Sequence, residues 1–323
     1  MSGLGAGGST SVTPEAGHES PTGASRRGPH RLAAIDVCER MWALRYHYDI
    51  RQNVDTFWRM GGTLIHTCYE YYYASLMPDE WRRKHCPWFY KQTLEERLKE
   101  QGRDWPDEVQ MAKENLSEYM NVYRDEPVTP LYIEREFSAR LGEIDPGGPW
   151  PELDDEEVTC RTDLVFENES GLWIMDYKSL GRSKCRKDGT LMRWKEDGEY
   201  ALNWQVLVNL WLVRRELGPK VRGFIVQRTT RHRPYDFDRH VLTVPVKAYK
   251  ETPRQLRHRV HHEREVVRKL EAGERPKASF HACYGRYGPC DYWDACKAPD
   301  DAGFQAVLAR DFDRPKAKLS VVK

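Results

Sequence analysis

The fold of this chain is decided by the stretch TCRTDLVFENESGLWIMDYK, residues 159–178. Its composition predicts two apolar strands joined by a polar turn at 168–171. With the turn centred between Glu169 and Ser170, Asp163 faces Asp176 across the antiparallel pair, at a Cβ separation of roughly 4.5–5.5 Å. Large apolar residues occupy both faces of the strands, as expected in the middle of a covered sheet. We therefore predict a buried hairpin that ends in two adjacent carboxylates.

The carboxylate pair indicates a metal-binding site. Two carboxylates at this spacing repel each other unless a cation or a proton lies between them. Carboxylate oxygens are the preferred ligands of Mg²⁺ and Mn²⁺, and such an ion activates water and polarises a phosphoryl oxygen. Lys178 lies two residues beyond Asp176 on the same strand face, where an ammonium could offset charge on a phosphate. The alternative is an ordinary surface hairpin, but its flanking residues are too apolar for that.

Composition places the chain among polar but foldable proteins, with 323 residues, 39% hydrophobic and 31% charged. The sequence contains no apolar run near the roughly 20 residues that span a bilayer, and its N-terminus lacks a secretory pattern. A cytoplasmic protein without membrane contact is therefore expected. The net charge of +1 hides a basic segment at 210–278, which has 18 Lys/Arg and 8 Asp/Glu. Such a segment suits a polyanion partner, although solvated helix faces have the same composition.

The domain organisation follows from changes in composition along the chain. Residues 1–30 are rich in Gly, Ser, Thr and Pro and are predicted to be a disordered tail. A single domain is predicted at 31–297, with an inserted helical layer at 78–125 and a cysteine-rich region at 281–297. A C-terminal tail at 298–323 completes the chain.

Two predicted N-terminal helices carry candidate site residues. The first covers 32–48 and contains Cys38. The second begins at Gly61-Gly62-Thr63, with Thr63 as its N-cap, and places His66, Glu70 and Tyr73 on one face. A helical histidine is more often structural than a ligand. The paired glycines favour the ligand here because they let a phosphate or another backbone come close.

The segments after residue 130 alternate between strand and helix patterns. Alternating apolar residues predict a half-exposed strand before the hairpin, and a basic loop at 179–195 follows it. The order predicts a mixed α/β sheet flanked by helices, with an αβββαβ core and extra N-terminal helices. The predicted elements outside the hairpin are strands at 131–141, 221–228 and 240–246, a helix at 197–217 that contains Gln205, and a basic helix at 248–271.

Three cysteines close to the C-terminus indicate a second metal site. Cys283, Cys290 and Cys296 fall within a short loop that also contains glycines and a proline. Exposed thiols are rare in this setting unless they bind a metal, and thiolates favour Zn²⁺ or an iron–sulfur cluster. Cys38 and His281 are the alternatives for the fourth ligand. Unligated thiols are the remaining interpretation.

Taken together, these residues resemble the RecB-like branch of the PD-(D/E)XK nucleases. The likeness is to the iron–sulfur nucleases typified by the AddB nuclease domain and the CRISPR-associated RecB-like exonucleases, including phage relatives. Three positions depart from the family pattern: Asn209 replaces a usual tyrosine, Asp176 a common glutamate, and the late cysteines are more widely spaced. The resemblance covers about 31–297 and rests on Gly62, His66, Asp163, Asp176-Tyr177-Lys178, Gln205, Cys38, Cys283, Cys290 and Cys296.

The resemblance implies roles for individual residues. His66, Asp163, Asp176 and the Tyr177 carbonyl would hold Mg²⁺ or Mn²⁺, Lys178 would serve catalysis, and Gln205 would belong to the catalytic set. The four cysteines would hold a [4Fe–4S] cluster, with Zn²⁺ as the alternative. DNA contacts are predicted at Arg182, Lys184, Arg228, Arg231 and Arg233.

These roles predict a metal-dependent DNA nuclease, most simply an exonuclease. Its substrate would be single-stranded DNA or DNA with ends. Its setting would be recombination, repair or phage DNA processing, with a helicase or recombination protein as partner. The alternative is a nucleic-acid-binding structural subunit with a metal cluster and little nuclease activity. A purely structural zinc protein would leave the carboxylate pair unexplained.

Overall fold

The N-terminal helical segment is broken at Cys38 in the computed structural model, which describes residues 27–52, 57–181, 185–192, 198–285 and 288–313. Helix α1 (Pro29–Val37) ends where Cys38 becomes extended, and α2 (Glu39–Trp42) continues into a π turn at Ala43–His47. The Cys38 Sγ accepts a hydrogen bond from Met41 N at 3.5 Å, so it caps the second helix. The predicted continuous helix over 32–48 is therefore wrong at this residue.

Helix α3 (Phe57–Leu76), which follows the short strand β1 (Arg51–Gln52), begins earlier than predicted. Gly61 and Gly62 lie inside it, so the expected N-cap at Thr63 is wrong. A Cβ on Gly61 would lie 2.8 Å from Glu108 Oε2, and one on Gly62 would lie 2.9 Å from Ser179 Oγ. The two glycines therefore let a neighbouring helix and the end of a strand approach α3 closely.

After α3 the chain continues through further helices, the strands of the sheet and a C-terminal group of short elements. Short 3₁₀ turns lie at Pro87–Tyr90, Pro151–Leu153 and Phe280–Ala282. In chain order the elements are α4 (Asp79–His85), α5 (Leu94–Gln101), α6 (Pro106–Tyr123), β2 (Thr129–Arg140), α7 (Leu141–Ile144), β3 (Glu157–Asn168), β4 (Gly171–Leu180), α8 (Gly198–Ala201), α9 (Trp204–Leu217), β5 (Val221–Thr230), β6 (Phe237–Leu242), α10 (Val246–Glu271), β7 (Tyr284–Gly285), β8 (Gly288–Pro289), α11 (Trp293–Cys296), α12 (Asp301–Asp311) and β9 (Phe312–Asp313).

Five strands form one mixed sheet in the order β2-β3-β4-β5-β6. The β4–β5 pair is parallel and is connected through α9, whereas the other pairs are antiparallel. Leu164 pairs with Met175 and Val165 with Ile174, so the register predicted for the central hairpin is confirmed. The mixed α/β sheet flanked by helices is confirmed as well.

Both faces of the hairpin are covered, which explains its apolar sequence. On one face Val165 and Ile174 pack with residues of α9 and α10. On the other face Leu164 and Met175 pack with residues of α3 and α6. Since the strands are buried on both sides, side chains at their ends can be held in a site with little access to water.

A third core joins the two ends of the chain. Ile35 and Trp42 of the N-terminal helices pack with Leu270, Tyr292 and Leu308. β1 pairs with β9, so part of the segment predicted as a C-terminal tail contributes a helix and a strand to this core. No helix among the described residues is long and apolar enough to cross a bilayer.

Candidate active site

The open end of the hairpin brings Asp163 to the helix that carries His66. Beyond the Leu164–Met175 pair, the Asp163 Oδ2 accepts a hydrogen bond from Tyr177 N at 2.7 Å. The His66 Nδ1 lies 3.8 Å from the same oxygen. Two of the predicted ligands therefore meet, and the backbone of Tyr177 is tied to one of them.

Asp176 is held by its own strand and by α9. Its side chain is 5% exposed, its Oδ2 lies 2.6 Å from Lys178 Nζ, and its Oδ1 accepts a hydrogen bond from Gln205 Nε2 at 2.8 Å. The Gln205 Oε1 also accepts from Lys178 Nζ at 3.4 Å. The Asn203 side chain caps α9 by accepting from Gln205 N, which places Gln205 in the first turn of that helix. These contacts form a connected network of three predicted site residues.

Glu134 is a candidate site residue that the sequence analysis missed. It lies on β2 between residues that pair with Thr162 and Leu164, and therefore beside Asp163. Ligand atoms of His66, Glu134 and Asp163 all lie within 4.8 Å of one another. The alternation of β2 placed Glu134 on the half-exposed face, and only the pairing of β2 with β3 reveals its neighbour. Its φ of 49° is unusual for a residue other than glycine.

Repulsion among the carboxylates is visible in their pKa values. Burial and the nearby Asp176 raise the pKa of Asp163 to about 6, and burial with Asp163 raises that of Glu70 to about 7. Burial, Asp163 and Glu70 raise the pKa of Glu134 well above its ordinary value. Burial alone would lower the pKa of Lys178, but Asp176 and Asp163 raise it. Several carboxylates therefore lie close together, with one imidazole beside them, and the carboxylates repel one another when ionised. Oxygen ligands with one imidazole nitrogen are a set that fits a divalent cation.

The raised pKa values predict how metal-free stability depends on pH. The folded protein binds protons at Asp163 and Glu70 more tightly than the unfolded chain does. This tighter proton binding therefore adds to the free energy of unfolding below about pH 4, and the stabilisation is lost as the pH rises to about 7. We expect a lower melting temperature at pH 8 than at pH 5.5 in EDTA, and a larger stabilisation by Mn²⁺ at pH 8, because protons and metal compete for the same oxygens.

A thermal-shift series across this pH range measures both effects. The Asp163→Asn variant is the control, since it should flatten the metal-free profile over the same window. Metal-free stability that climbs steadily from pH 5.5 to pH 8 in the wild-type protein would contradict the prediction.

The four predicted cluster cysteines lie near one another, with Cys290 and Cys296 packed against the third core. The Sγ of Cys38 accepts a hydrogen bond from Ser279 N at 3.5 Å, and the Cys283 thiol lies 3.8 Å from Ser279 O. Cys290 N donates to Cys283 O at 2.8 Å. Burial and the neighbouring thiols raise the pKa of Cys290 and of Cys296. His281, the rival fourth ligand, is exposed.

Two of the predicted DNA-contacting arginines form ion pairs within the chain, one buried and one at the surface. Arg228 is buried and forms an ion pair with Asp238. The Arg233 Nη2 lies 2.6 Å from a carboxylate oxygen of Glu114. Arg231 lies beside Gly61, where burial lowers its pKa and the nearby Glu108 raises it. Arg182 and Lys184 lie outside the described residues. The expected DNA contact through Arg228 does not agree with its burial.

The basic helix α10 is balanced by acidic residues of the same chain. Arg257 is fully buried, and its Nη2 lies 2.7 Å from an oxygen of Asp154. Arg259 pairs with Asp36 at 2.9 Å, and Arg264 pairs with Glu156. Asp154 and Glu156, which belong to the acidic segment 152–157, are therefore partners of this helix within the chain. Three of its arginines are thus paired with acidic residues of the same chain.

Comparisons with known proteins give one family match and similarity to solved structures. The family model of the PD-(D/E)XK nuclease superfamily matches residues 28–297. No curated protein sequence gives a significant match. Among solved structures, a protein from Eubacterium rectale named "Putative exonuclease" is 13% identical, with 83% of this chain and 86% of that chain covered and a TM-score of 0.45. The structure of SSO0001 is 12% identical, with 69% and 80% covered and a TM-score of 0.29.

Proposed function

Because the chain belongs to the PD-(D/E)XK nuclease superfamily, we propose that it is a metal-dependent DNA exonuclease. The observation that carries the proposal is the convergence of His66, Glu134 and Asp163 next to the network of Asp176 and Lys178. Buried acidic groups beside a lysine at the end of a covered sheet are costly to maintain without a chemical role. Phosphodiester hydrolysis uses each of these groups.

The residues proposed to hold Mg²⁺ or Mn²⁺ are His66, Asp163, Asp176 and the Tyr177 carbonyl, with Glu134 as an addition. Their donors are oxygen atoms and one imidazole nitrogen, which is the chemistry that these ions accept. When bound, the metal would polarise a phosphoryl oxygen and acidify a water. Gln205 would keep Asp176 in its orientation, since its amide donates to the Asp176 carboxylate.

Lys178 is proposed to act on the phosphate as its negative charge develops. Its side chain is 30% exposed, and its ammonium is held by Asp176 and Gln205. The neighbouring carboxylates raise its pKa, which keeps it charged at neutral pH. A fixed positive charge contributes most in the transition state, because the phosphate is then most negative.

Removing this charge should affect turnover far more than binding. We expect Lys178→Ala to cleave DNA about 10²–10³-fold more slowly under saturating metal, with Mn²⁺ and DNA affinity nearly unchanged. Single-turnover cleavage and equilibrium binding measure the two quantities separately. Lys220→Ala removes an exposed lysine next to β5 and is the control. A Lys178→Ala protein that loses Mn²⁺ or DNA binding but turns over normally would contradict this role.

The nuclease proposal is tested with end-labelled DNA. Mn²⁺-dependent release of label from single- or double-stranded substrates is the expected result, and a time course on a sequencing gel separates exonuclease from endonuclease products. An alternative role as a DNA-binding structural subunit predicts binding without cleavage. The intact contacts among Asp176, Lys178 and Gln205 favour the enzyme over that alternative.

We further propose that Cys38, Cys283, Cys290 and Cys296 hold a [4Fe–4S] cluster, as in RecB-like iron–sulfur nucleases. Tetrahedral zinc with Zn–S bonds of about 2.3 Å would bring its sulfurs to roughly 3.8 Å from one another. Among the residues that the structure describes, these thiols do not form a group with all ligand atoms within 4.8 Å. Zn²⁺ is the alternative occupant of the same four thiolates. A helicase or recombination protein as partner, and work in recombination, repair or phage DNA processing, belong to the same proposal.

A further inference from the structure

The side chain of Tyr177 is packed among three other tyrosines, which together form the tyrosine stack (Tyr69, Tyr73, Tyr119 and Tyr177). The Tyr177 ring meets Tyr69 edge-on with centroids 5.0 Å apart and lies nearly parallel to Tyr73 at 6.2 Å. Tyr69 in turn stacks on Tyr119 at 4.2 Å. All four side chains are almost completely buried, so their positions depend on one another.

Arg239 of β6 holds the far side of this stack. Its Nη2 donates to the hydroxyl of Tyr73 at 2.9 Å and to that of Tyr119 at 2.8 Å. Its Nε donates to Gln227, it pairs with Glu126, and its guanidinium carbon lies 3.9 Å from the ring centre of Tyr123. The rigid, planar guanidinium therefore fixes two phenol hydroxyls in space, which a flexible ammonium would do less well.

The near side of the stack touches the candidate metal ligands. Tyr177 N donates to the Asp163 carboxylate at 2.7 Å, and the His66 ring packs edge-on against the Tyr177 ring at 5.6 Å and 90°. The Tyr177 carbonyl is itself a proposed ligand. A shift of Tyr177 would therefore displace three proposed metal ligands together, namely the Asp163 carboxylate, the His66 ring and the Tyr177 carbonyl.

We propose that Arg239 is a positioning residue that sets the affinity for divalent metal through the tyrosine stack. The inference rests on the proposed nuclease function, because it concerns the same metal site. Groups that orient metal ligands without touching the metal commonly change affinity by about 10-fold or more. Arg239 lies on β6, the edge strand of the sheet, and is linked to the proposed ligands through the tyrosine stack.

The test compares Arg239→Lys, Tyr73→Phe and Tyr119→Phe with the wild-type protein. Mn²⁺ affinity is measured directly by titration, with the signal of free Mn²⁺ followed by electron paramagnetic resonance. We expect about 10-fold weaker Mn²⁺ binding in Arg239→Lys and a smaller loss in each phenylalanine variant. Cleavage should recover to within about twofold of the wild-type rate at saturating Mn²⁺, since positioning rather than chemistry is impaired.

Arg214→Lys is the matched control. The Arg214 guanidinium also makes two hydrogen bonds, from Nε to Val221 O and from Nη2 to Arg222 O, both at 2.9 Å, and it lies near the Tyr249 ring. It should lose stability but keep wild-type Mn²⁺ affinity. If the Arg239 and tyrosine variants behave like this control, Arg239 is only structural and the proposal is overturned. If Arg239→Lys does not fold, unchanged Mn²⁺ affinity in both phenylalanine variants overturns it. Wild-type protein that binds no Mn²⁺ would instead refute the proposed function itself.

Discussion

Asp163→Asn and Asp176→Asn should each reduce DNA cleavage by at least about 10³-fold while leaving the fold intact. Asparagine keeps the shape of the side chain and one acceptor oxygen, so Tyr177 N and Gln205 retain a partner. The charge that would hold the metal is lost. Because each change also removes one of several close like charges, neither variant needs to be unstable in the absence of metal.

The two variants should differ in stability. Asp163 is surrounded by other acids, and its raised pKa means that ionisation destabilises the metal-free fold. Asp163→Asn should therefore raise metal-free stability at pH 8, by on the order of 1–2 kcal/mol. Asp176 has Lys178 as a close partner, so Asp176→Asn loses an ion pair. Its metal-free stability at pH 8 should therefore be lower than that of Asp163→Asn.

Cleavage of end-labelled DNA in Mn²⁺ and thermal melts in EDTA measure these outcomes. Asp155→Asn is the control, because Asp155 is 95% exposed and only loosely paired with Arg140. It should match the wild-type protein in both assays. Near-normal cleavage by Asp176→Asn would show that this site does not carry out the reaction, and the nuclease assignment at this site would be wrong.

Cys38→Ala should lose the cluster and become prone to aggregation. Cys38 and Cys283 lie at opposite ends of the domain sequence, and the third core is built from both ends. A shared metal centre would therefore close a loop that spans most of the chain. In a chain-entropy model, closing such a loop raises the free energy of unfolding by about 5 kcal/mol. Its loss should lower the melting temperature by about 10 °C. Part of the binding energy of the cluster is thus folding energy.

Anaerobically purified protein is expected to be brown, with iron and sulfide by elemental analysis. Cys283→Ala, Cys290→Ala and Cys296→Ala should lose the colour as Cys38→Ala does. Cys160→Ala is the matched control, since Cys160 is fully buried in another core; single replacements of Cys68, Cys86 and Cys185 should also keep the colour. Zinc without iron would overturn the cluster but keep the four-thiolate site. Full metal content in Cys38→Ala would make His281 the better fourth ligand.

The central hairpin and its carboxylates were predictable because their determinants are local. A polar turn and strand patterns on either side of it set the register of 164–168 with 171–175, and Asp163 and Asp176 follow immediately beyond these pairs. The same patterns predicted the mixed sheet and a helix at 197–217 between two of its strands. Local sequence also misled at the helix ends, where Gly61 and Gly62 resembled a helix start but serve close packing.

Sequence patterns alone were thus sufficient for the mixed sheet and the hairpin register, and they suggested most of the candidate site residues. Only the tertiary structure brought Glu134 beside Asp163, paired α10 with the acidic residues near 152–157, and anchored Tyr177 to Arg239 through the tyrosine stack. Strand alternation and turns depend on neighbours a few residues apart. These latter contacts join residues that are far apart in the chain, and their partners are chosen by packing, burial and charge once the sheet and helices have assembled.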